Sequence, residues 1–407
     1  MKSKSKRLAV LITHPVQYFK PVFQALAACE DLKVKVFFGC NHGVKPSHDP
    51  DFGVTFAWDS APTAGFDHCF LSESPLANLA KPATAIKLAW KGSAQIRRWR
   101  ADAVLIFAYS PLFITASTLI LAAHGEKLLL RADGTDRAFQ RAPWKSFLKD
   151  QLLRRYYCLF SQIFPIGSDS NDHFARLGVP PHRRKAVPFA VDVEYFQRQV
   201  EHWMPQRNKL RRALQIPATA EVLLSVGKIT HVKGPLLLAK ALALLPAERQ
   251  RQLWLVVVGD GPLREALAAA VEAVLPGCSR FVGFQNQSQL GRYYAVADTL
   301  VFPSVQGETW GLVVNEALQF GLRVIASDHP GCARDLLGEA PHRLFPSGDP
   351  QALAQALRPP WTLANSAIIT NKVLPRPEQL AEAVASSLGV HPEHQAAGGV
   401  AKQKNNI

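Results

Sequence analysis

Short, uniformly apolar runs recur along this chain with helix-like stretches between them, and that alternation constrains the fold more than any other feature. LAVLI (8–12), VKVFFG (34–39), AVLIFA (103–108), KLLLRA (127–132), QIFPIG (162–167) and KAVPFA (185–190) form a first set. VLLSVGK (222–228), LWLVVVG (253–259), RFVGF (280–284), TLVFPS (299–304) and LRVIAS (322–327) form a second. Strands that are apolar on both faces belong in parallel sheets covered by helices on each side. Two such sets predict an α/β chain of two doubly wound, Rossmann-like domains, over residues 1–195 and 196–375, with the seam near 191–209 where the periodicity lapses. Residues 376–407 are expected to add a terminal helix and a disordered tail. Ligands of such sheets bind beyond the carboxyl ends of the strands, so two facing domains predict one central cleft.

Composition narrows the partners. The 407 residues are 48% hydrophobic and 19% charged, which excludes a disordered chain. The net charge of +15 suits an anionic partner: nucleic acid, a phosphorylated ligand or an acidic membrane surface. A nucleic-acid reading draws on RRWR (97–100) and HRRK (182–185), but no recognised nucleic-acid motif accompanies them, so none is expected as a partner. Six cysteines are scattered singly with no CxxC pair, which speaks against a zinc site and for a reducing compartment. The triplet DPD (49–51) lies in a polar, Gly/Pro-rich insertion (41–66) without other ligands, and no metal is expected. Residues 103–123 carry no charge over 21 positions, the length of a membrane span. Tyr109-Ser110-Pro111 splits the run, however, so a buried strand followed by a buried helix is the better reading.

Phosphate-binding chemistry is suggested where strands of the second set end. In VGKITHVKGPLLLAKAL (226–242) a strand ends at Gly227, Lys228 and Lys233 follow, and a helix opens at Gly234-Pro235. Lysines beside a strand end and a helix start make an anion site, although two solvated lysines on a basic chain would read the same. VVVGDGPLREAL (256–267) is a strand, a Gly259-Asp260-Gly261 turn and a helix. Neither a P-loop nor a GxGxxG after the first strand occurs.

The stretch GETWGLVVNE (307–316) sets Glu308 and Glu316 at the ends of an apolar run. It predicts a loop carrying Glu308, then a helix from Gly311 to Phe320 closed by Gly321 and carrying Glu316. The first amides of that helix would be free donors for an anion. A carboxylate among apolar neighbours needs hydrogen-bond donors, and sugar hydroxyls supply them. Two acids flanking an anion-binding helix start therefore fit a sugar nucleotide, unless Glu308 is a surface residue and Glu316 a cap.

Taken together in order, GK-x4-KG (227–234), VVGDGPLR (257–264), VGF (282–284), ADTLVFPS (297–304) and E-x7-E with GLVVNEAL (308–318) resemble the donor domain of family 4 retaining glycosyltransferases, of the GT-B fold. The resemblance implies an acceptor-binding first domain and a nucleotide-sugar-binding second domain. Lys228 and Lys233 would bind the donor diphosphate, Glu308 the hydroxyls of the transferred sugar and Glu316 the ribose. Backbone at Gly283 and Phe284 would meet the base, and amides of Gly311 and Leu312 the phosphates. Gly227, Gly259 and Thr309 complete the implied donor side. Lys228 stands where the family more often has arginine, losing the bidentate fork but keeping the charge.

The first half resembles the family more loosely, in THPVQYFKPVFQAL (13–26) and FGVTFAWDSAPTAGFDHCFL (52–71). The family's glycine-rich first loop is replaced by His14-Pro15-Val16-Gln17. Its frequent cleft histidine is replaced by Arg131, Asp133 and Asp136; His14 and Asp133 are expected to face the acceptor. The implied reaction moves a sugar, with retention, from a UDP- or GDP-sugar to the hydroxyl of a glycan or lipid-linked acceptor in bacterial cell-surface polysaccharide or glycolipid synthesis. The leaving diphosphate would assist acceptor deprotonation, with neither metal nor other cofactor. A cytoplasmic enzyme, peripheral on the inner face of the plasma membrane, is the matching expectation. A basic nucleic-acid- or membrane-binding protein, or an inactive sugar-nucleotide-binding relative, is the alternative.

Overall fold

The computed structural model describes residues 5–44, 47–49, 54–56, 61–75, 77–137, 142–338, 342–358 and 374–390. Residues 45–46, 50–53 and 57–60 of the 41–66 insertion, which include the DPD triplet beyond Asp49, and the tail from 391 lie outside them.

The strands of the first half are β1 (Lys6–Ile12), β2 (Leu32–Phe38), a small antiparallel pair β3 (Ser47–Asp49) and β4 (Val54–Phe56), β5 (Asp67–Phe70), β6 (Ala103–Phe107), β7 (Leu128–Ala132) and β8 (Gln162–Pro165). The second half has β9 (Glu221–Val226), β10 (Leu253–Val258), β11 (Ser279–Phe281), β12 (Thr299–Phe302), β13 (Arg323–Ser327) and β14 (Arg343–Phe345). Two parallel sheets of six strands form, in orders β5-β2-β1-β6-β7-β8 and β11-β10-β9-β12-β13-β14. Both orders reverse direction beside their first strand, which places the loops after β1 and β9 at the topological switch points. Central strands such as β6 and β7 are buried throughout, as their unbroken apolarity requires.

Three elements differ from the sequence expectation. KAVPFA is not a strand: its amides at Lys185 and Val187 bond the carbonyls of Ile163 and Pro165, Pro188 offers no donor, and the carbonyls of Val187 and Pro188 are taken by Arg131. The sixth strands are instead β5 (DHCF) and β14 (RLF), short edge strands whose partly exposed residues give no apolar signal. The expected boundary at residue 195 falls inside the helix Val193–Trp203, whose Phe196 packs into the second core beneath Tyr294 and Phe320. The uncharged run 103–123 is β6 followed by the helix Leu112–Ala123, and among the described residues no helix is long and apolar enough to cross a membrane.

The helix Glu378–Ser387 returns to the first domain. Its Leu380, Ala381 and Val384 are buried with Leu8, Phe23 and Phe38, and Lys127 donates to the Ser387 carbonyl at 3.1 Å. The second domain is thus one continuous segment, whereas the first is completed by residues that follow it. Leu380 is 2% exposed, so Leu380→Ala is expected to cost about 2–5 kcal/mol. In a denaturant titration, that loss should appear in the unfolding of the first domain and leave the second unchanged.

Candidate functional site

The second-domain rim is built from chain turns at adjacent strand ends. Gly227, Gly259 and Gly283 lie side by side after β9, β10 and β11: the Gly227 amide donates to Val258, and the Gly259 amide to Gly283 at 2.9 Å. The approach demands glycine, because a Cβ on Gly259 (φ +139°) would stand 1.9 Å from the Gly227 carbonyl. Phe284 follows directly on this rim. Lys228 and Lys233 line one small cavity with Gly227 and Pro303, so the two lysines of the sequence motif do converge.

The GETWGLVVNE stretch folds as anticipated. Gly311 (φ 103°) caps the helix Leu312–Gln319, and Phe320 and Gly321 end it. Glu308 precedes the helix and forms an ion pair with Lys233, whose ammonium also lies 5.5 Å over the Phe302 ring. The cation expected on the phosphates and the acid expected on the sugar are therefore partners. Thr309 Oγ1 donates to Asp133 Oδ2 of the first domain at 2.8 Å, so a residue expected on the donor side touches one expected on the acceptor side.

Glu316 is fully buried. Tyr294 donates to its Oε2 at 2.6 Å, and the Tyr18 hydroxyl, from the first domain, approaches the same carboxylate. Oε1 has no well-aligned donor among the described residues. Burial pushes the carboxyl up to about 7, against the two tyrosine hydroxyls, which lower it. Burial and the adjacent Glu316 in turn push both tyrosines well up, so they remain donors. A ligand hydroxyl reaching Glu316 would share or replace these bonds.

The domains are locked around this point. Trp310, 2% exposed, donates from Nε1 to Asn315 Oδ1 at 2.8 Å and packs 6.2 Å from Phe189. Asn315 Nδ2 donates to the Phe189 carbonyl at 3.1 Å. Ser168 donates from its amide and hydroxyl to Asp335. Arg137 reaches the Asp328 carbonyl at 2.7 Å, and Arg334 pairs with Asp169 and Asp172.

His14 makes its contacts away from the Glu308 cluster. Its Nδ1 lies 3.0 Å from Thr13 Oγ1, its ring meets His42 edge-on at 5.3 Å, and both line a shallow depression of about 470 Å³ with Asn78 and Pro111. Burial, then His42, depresses its pKa to about 4, which keeps the imidazole neutral. Arg131 and Asp136, noted in the sequence beside Asp133, are structural. Arg131 is buried on four backbone carbonyls, and Asp136 holds His173 and Arg176, each at 2.7 Å.

Sequence reasoning missed Tyr18, Tyr294 and His329. Tyr18 lies in the quoted HPVQYF loop and Tyr294 just before ADTLVF, yet lone tyrosines carry no spacing signal. His329, after β13, has a buried Nε2 without a partner among the described residues. Burial and then Arg137 lower its pKa, against the pull of Asp328 and Glu308. Among the described residues no three His, Cys, Asp or Glu side chains gather as metal ligands.

Known proteins resemble parts of this chain in sequence and nearly all of its fold. Residues 206–359 match the family described as Glycosyl transferases group 1. The chain is 29% identical over 211 residues to the amylovoran biosynthesis glycosyltransferase AmsK of Erwinia amylovora, covering 50% of this chain and 48% of that one. It is 33% identical over 199 residues to a D-inositol 3-phosphate glycosyltransferase of Kineococcus radiotolerans, covering 44% of each. The chain spans about half the length of the curated relatives it matches. Similar folds extend further. A structure of Anabaena HepE in complex with UDP and glucose superposes with TM-score 0.63 at 15% identity, covering 94% of this chain and 99% of that one. WaaG, a glycosyltransferase involved in lipopolysaccharide biosynthesis, superposes with TM-score 0.65 at 17% identity, covering 93% and 99%. The architecture is GT-B: two doubly wound domains facing a cleft.

The titration of Glu316 has a fixed sign. Its folded pKa of about 7 lies above the ordinary value of 4.5, so protonation favours the folded chain. That contribution is complete below pH 4.5 and is lost as pH rises through 7. Glu316→Gln, which cannot ionise, should gain on the wild type by roughly 3 kcal/mol between about pH 5 and about pH 8. Denaturant titrations at the two pH values check it; an unchanged difference would mean that the carboxyl is already ionised at the lower pH.

Proposed function

We propose, from the match of residues 206–359 to the family described as Glycosyl transferases group 1, that this chain is a retaining, metal-independent glycosyltransferase. It moves a sugar from a UDP- or GDP-sugar to a hydroxyl of a glycan or lipid-linked acceptor, in the assembly of a bacterial surface polysaccharide or glycolipid. One observation carries the reading. At the carboxyl ends of β9 and β12 a lysine pair, Glu308, the start of the Leu312–Gln319 helix and Glu316 follow one another along the cleft side. Such a set offers an acid to the sugar, cations and amides to the diphosphate that joins it to the nucleoside, and a second acid to the ribose. UDP and glucose in the HepE complex, and the lipopolysaccharide role of WaaG, support the donor class and the acceptor class. Retention rests on the resemblance to family 4.

In this mechanism the barrier is charge, because a sugar cation develops as diphosphate departs. Lys228, Lys233 and the amides of Gly311 and Leu312 stabilise the leaving group, and preorganised donors of this kind supply much of a catalytic effect. Glu308 exchanges its bond to Lys233 for the sugar hydroxyls, which frees the lysine for phosphate. Glu316 takes ribose hydroxyls in place of tyrosine hydroxyls. The departing diphosphate oxygen accepts the acceptor proton on the same face. Asp133, bonded to Thr309, and His14, neutral at physiological pH, border the acceptor side.

The test is thermal stabilisation by UDP, GDP and their sugars. At a hundredfold excess over Kd the expected gain is about 2.7 kcal/mol. Glu316→Ala should lose most of the nucleotide response. Glu308→Ala should keep the response to the free nucleotide while transfer falls by about a hundredfold or more. A wild type indifferent to every nucleotide would overturn the proposal.

A further inference from the structure

The helix Pro143–Tyr157 is apolar on two opposite sides. Leu153 and Tyr157 face inward and are buried in the first-domain core. Trp144, Phe147, Leu148 and Leu152, spaced as a single stripe on the other side, are 63%, 62%, 54% and 67% exposed. Soluble helices keep the outer side polar, and a helix apolar all round is normally enclosed. The stripe is interleaved with exposed Lys145, Arg154 and Arg155. The helix's one acid, Asp150, turns inward to Arg176.

Two neighbouring helices extend the same layer. Pro82–Arg98 and Leu112–Ala123 pack on the same core, and Tyr156 donates to Thr118 at 2.9 Å, joining the layer. Their outer sides expose Ile86, Trp90 and Leu119 at 47%, 57% and 53%. Across the three helices there are eight Lys or Arg residues against the single Asp150. Of these, Lys87, Lys91, Arg97 and Arg98 are exposed on the first.

We propose that this three-helix face docks onto an anionic lipid surface, with Trp144, Phe147, Leu148 and Leu152 entering the headgroup–acyl boundary and the lysines and arginines on the lipid phosphates. Interleaved large apolar and basic side chains are what such a surface accepts at once. A nucleic acid would neutralise the charges but leave the apolar stripe in water. A second copy would bury the stripe but bring like charges together. The face also adjoins the cleft. Lys149 bonds the Tyr109 hydroxyl at 3.3 Å at the end of β6, and the helix starts six residues after Arg137, which reaches Asp328 across the domains. A lipid-linked acceptor in the same leaflet would therefore arrive at the mouth of the site. The delivery of an acceptor rests on the transfer proposed above; the docking does not.

The test is sedimentation of the full chain with vesicles of phosphatidylcholine alone and with added phosphatidylglycerol. Wild type should bind the anionic vesicles and lose binding in high salt. Trp144→Ser/Phe147→Ser/Leu152→Ser should lose about tenfold or more in affinity. Lys145→Gln/Arg154→Gln/Arg155→Gln should lose roughly fivefold per charge and much of the salt dependence. Both variants should retain the wild-type unfolding midpoint and nucleotide response, which separates a failed dock from a failed fold or a failed donor site. Absence of wild-type binding to anionic vesicles, or apolar variants that bind as well as wild type, would overturn the proposal. So would a concentration-dependent dimer, seen by light scattering, that the apolar substitutions abolish.

Discussion

A buried cation sets the register of the whole cleft. Arg131 ends β7 under the first sheet with its guanidinium on the carbonyls of Phe164, Pro165, Val187 and Pro188 and lying 5.3 Å from the Phe189 ring. Desolvation pulls its pKa down to about 9, against the nearby Asp133, which raises it, and the four carbonyls satisfy the buried donors. The segment it holds offers Phe189 to Trp310 and the Phe189 carbonyl to Asn315. Those two residues flank the start of the Leu312–Gln319 helix. The placement of Glu308 and Glu316 against the first domain is thus inherited, bond by bond, from an arginine in the opposite sheet.

Much of this was legible in the residues. Uniform apolar strands announced two parallel sheets, because burial on both faces leaves no room for polar alternation. Glu308, Gly311 and Glu316 fell on loop, cap and helix as their spacing implied, since glycine chemistry at Gly311 and Gly321 marks both ends. What stayed hidden was tertiary. KAVPFA has the apolarity of a strand, but carbonyls of Val187 and Pro188 are taken by Arg131, and no spacing in the sequence marks that partner. The edge strands β5 and β14 bury too little to show a pattern. Tyr18 and Tyr294 reach Glu316 from separate parts of the chain, and no local spacing encodes that meeting. The pairing of Lys233 with Glu308 is equally invisible in the sequence, because the resemblance implies the diphosphate for one and the sugar for the other.

The charge balance also changes meaning with the fold. An excess of +15 suggested one anionic partner, yet many of the arginines are internal fasteners. Arg207 and Arg211 grip Asp298 at 2.6 and 2.7 Å, and Arg249 and Arg323 both grip Glu221, at 2.7 and 3.0 Å. Such buried pairs fix orientation more than they add stability. Two further groups of cations lie elsewhere: the lysines at the donor rim, of which Lys233 pairs with Glu308, and the lysines and arginines on the outer layer of the first domain. A single number for the chain concealed two different surfaces.

The return of the Glu378–Ser387 helix to the first sheet has a consequence for how the molecule is made. The second domain is contiguous from about 191 to 358, and every strand of its sheet is available once that stretch has left the ribosome. The first domain begins earlier but lacks Leu380 and Val384 until the segment beyond the second domain is synthesised. The usual order, in which the N-terminal domain matures first, is therefore inverted at its last step. The two crossings, Val187–Ala190 and Arg376–Pro377, also line one cavity beside Arg131. Seating the last helix in the first core therefore also brings the two connections between the sheets side by side.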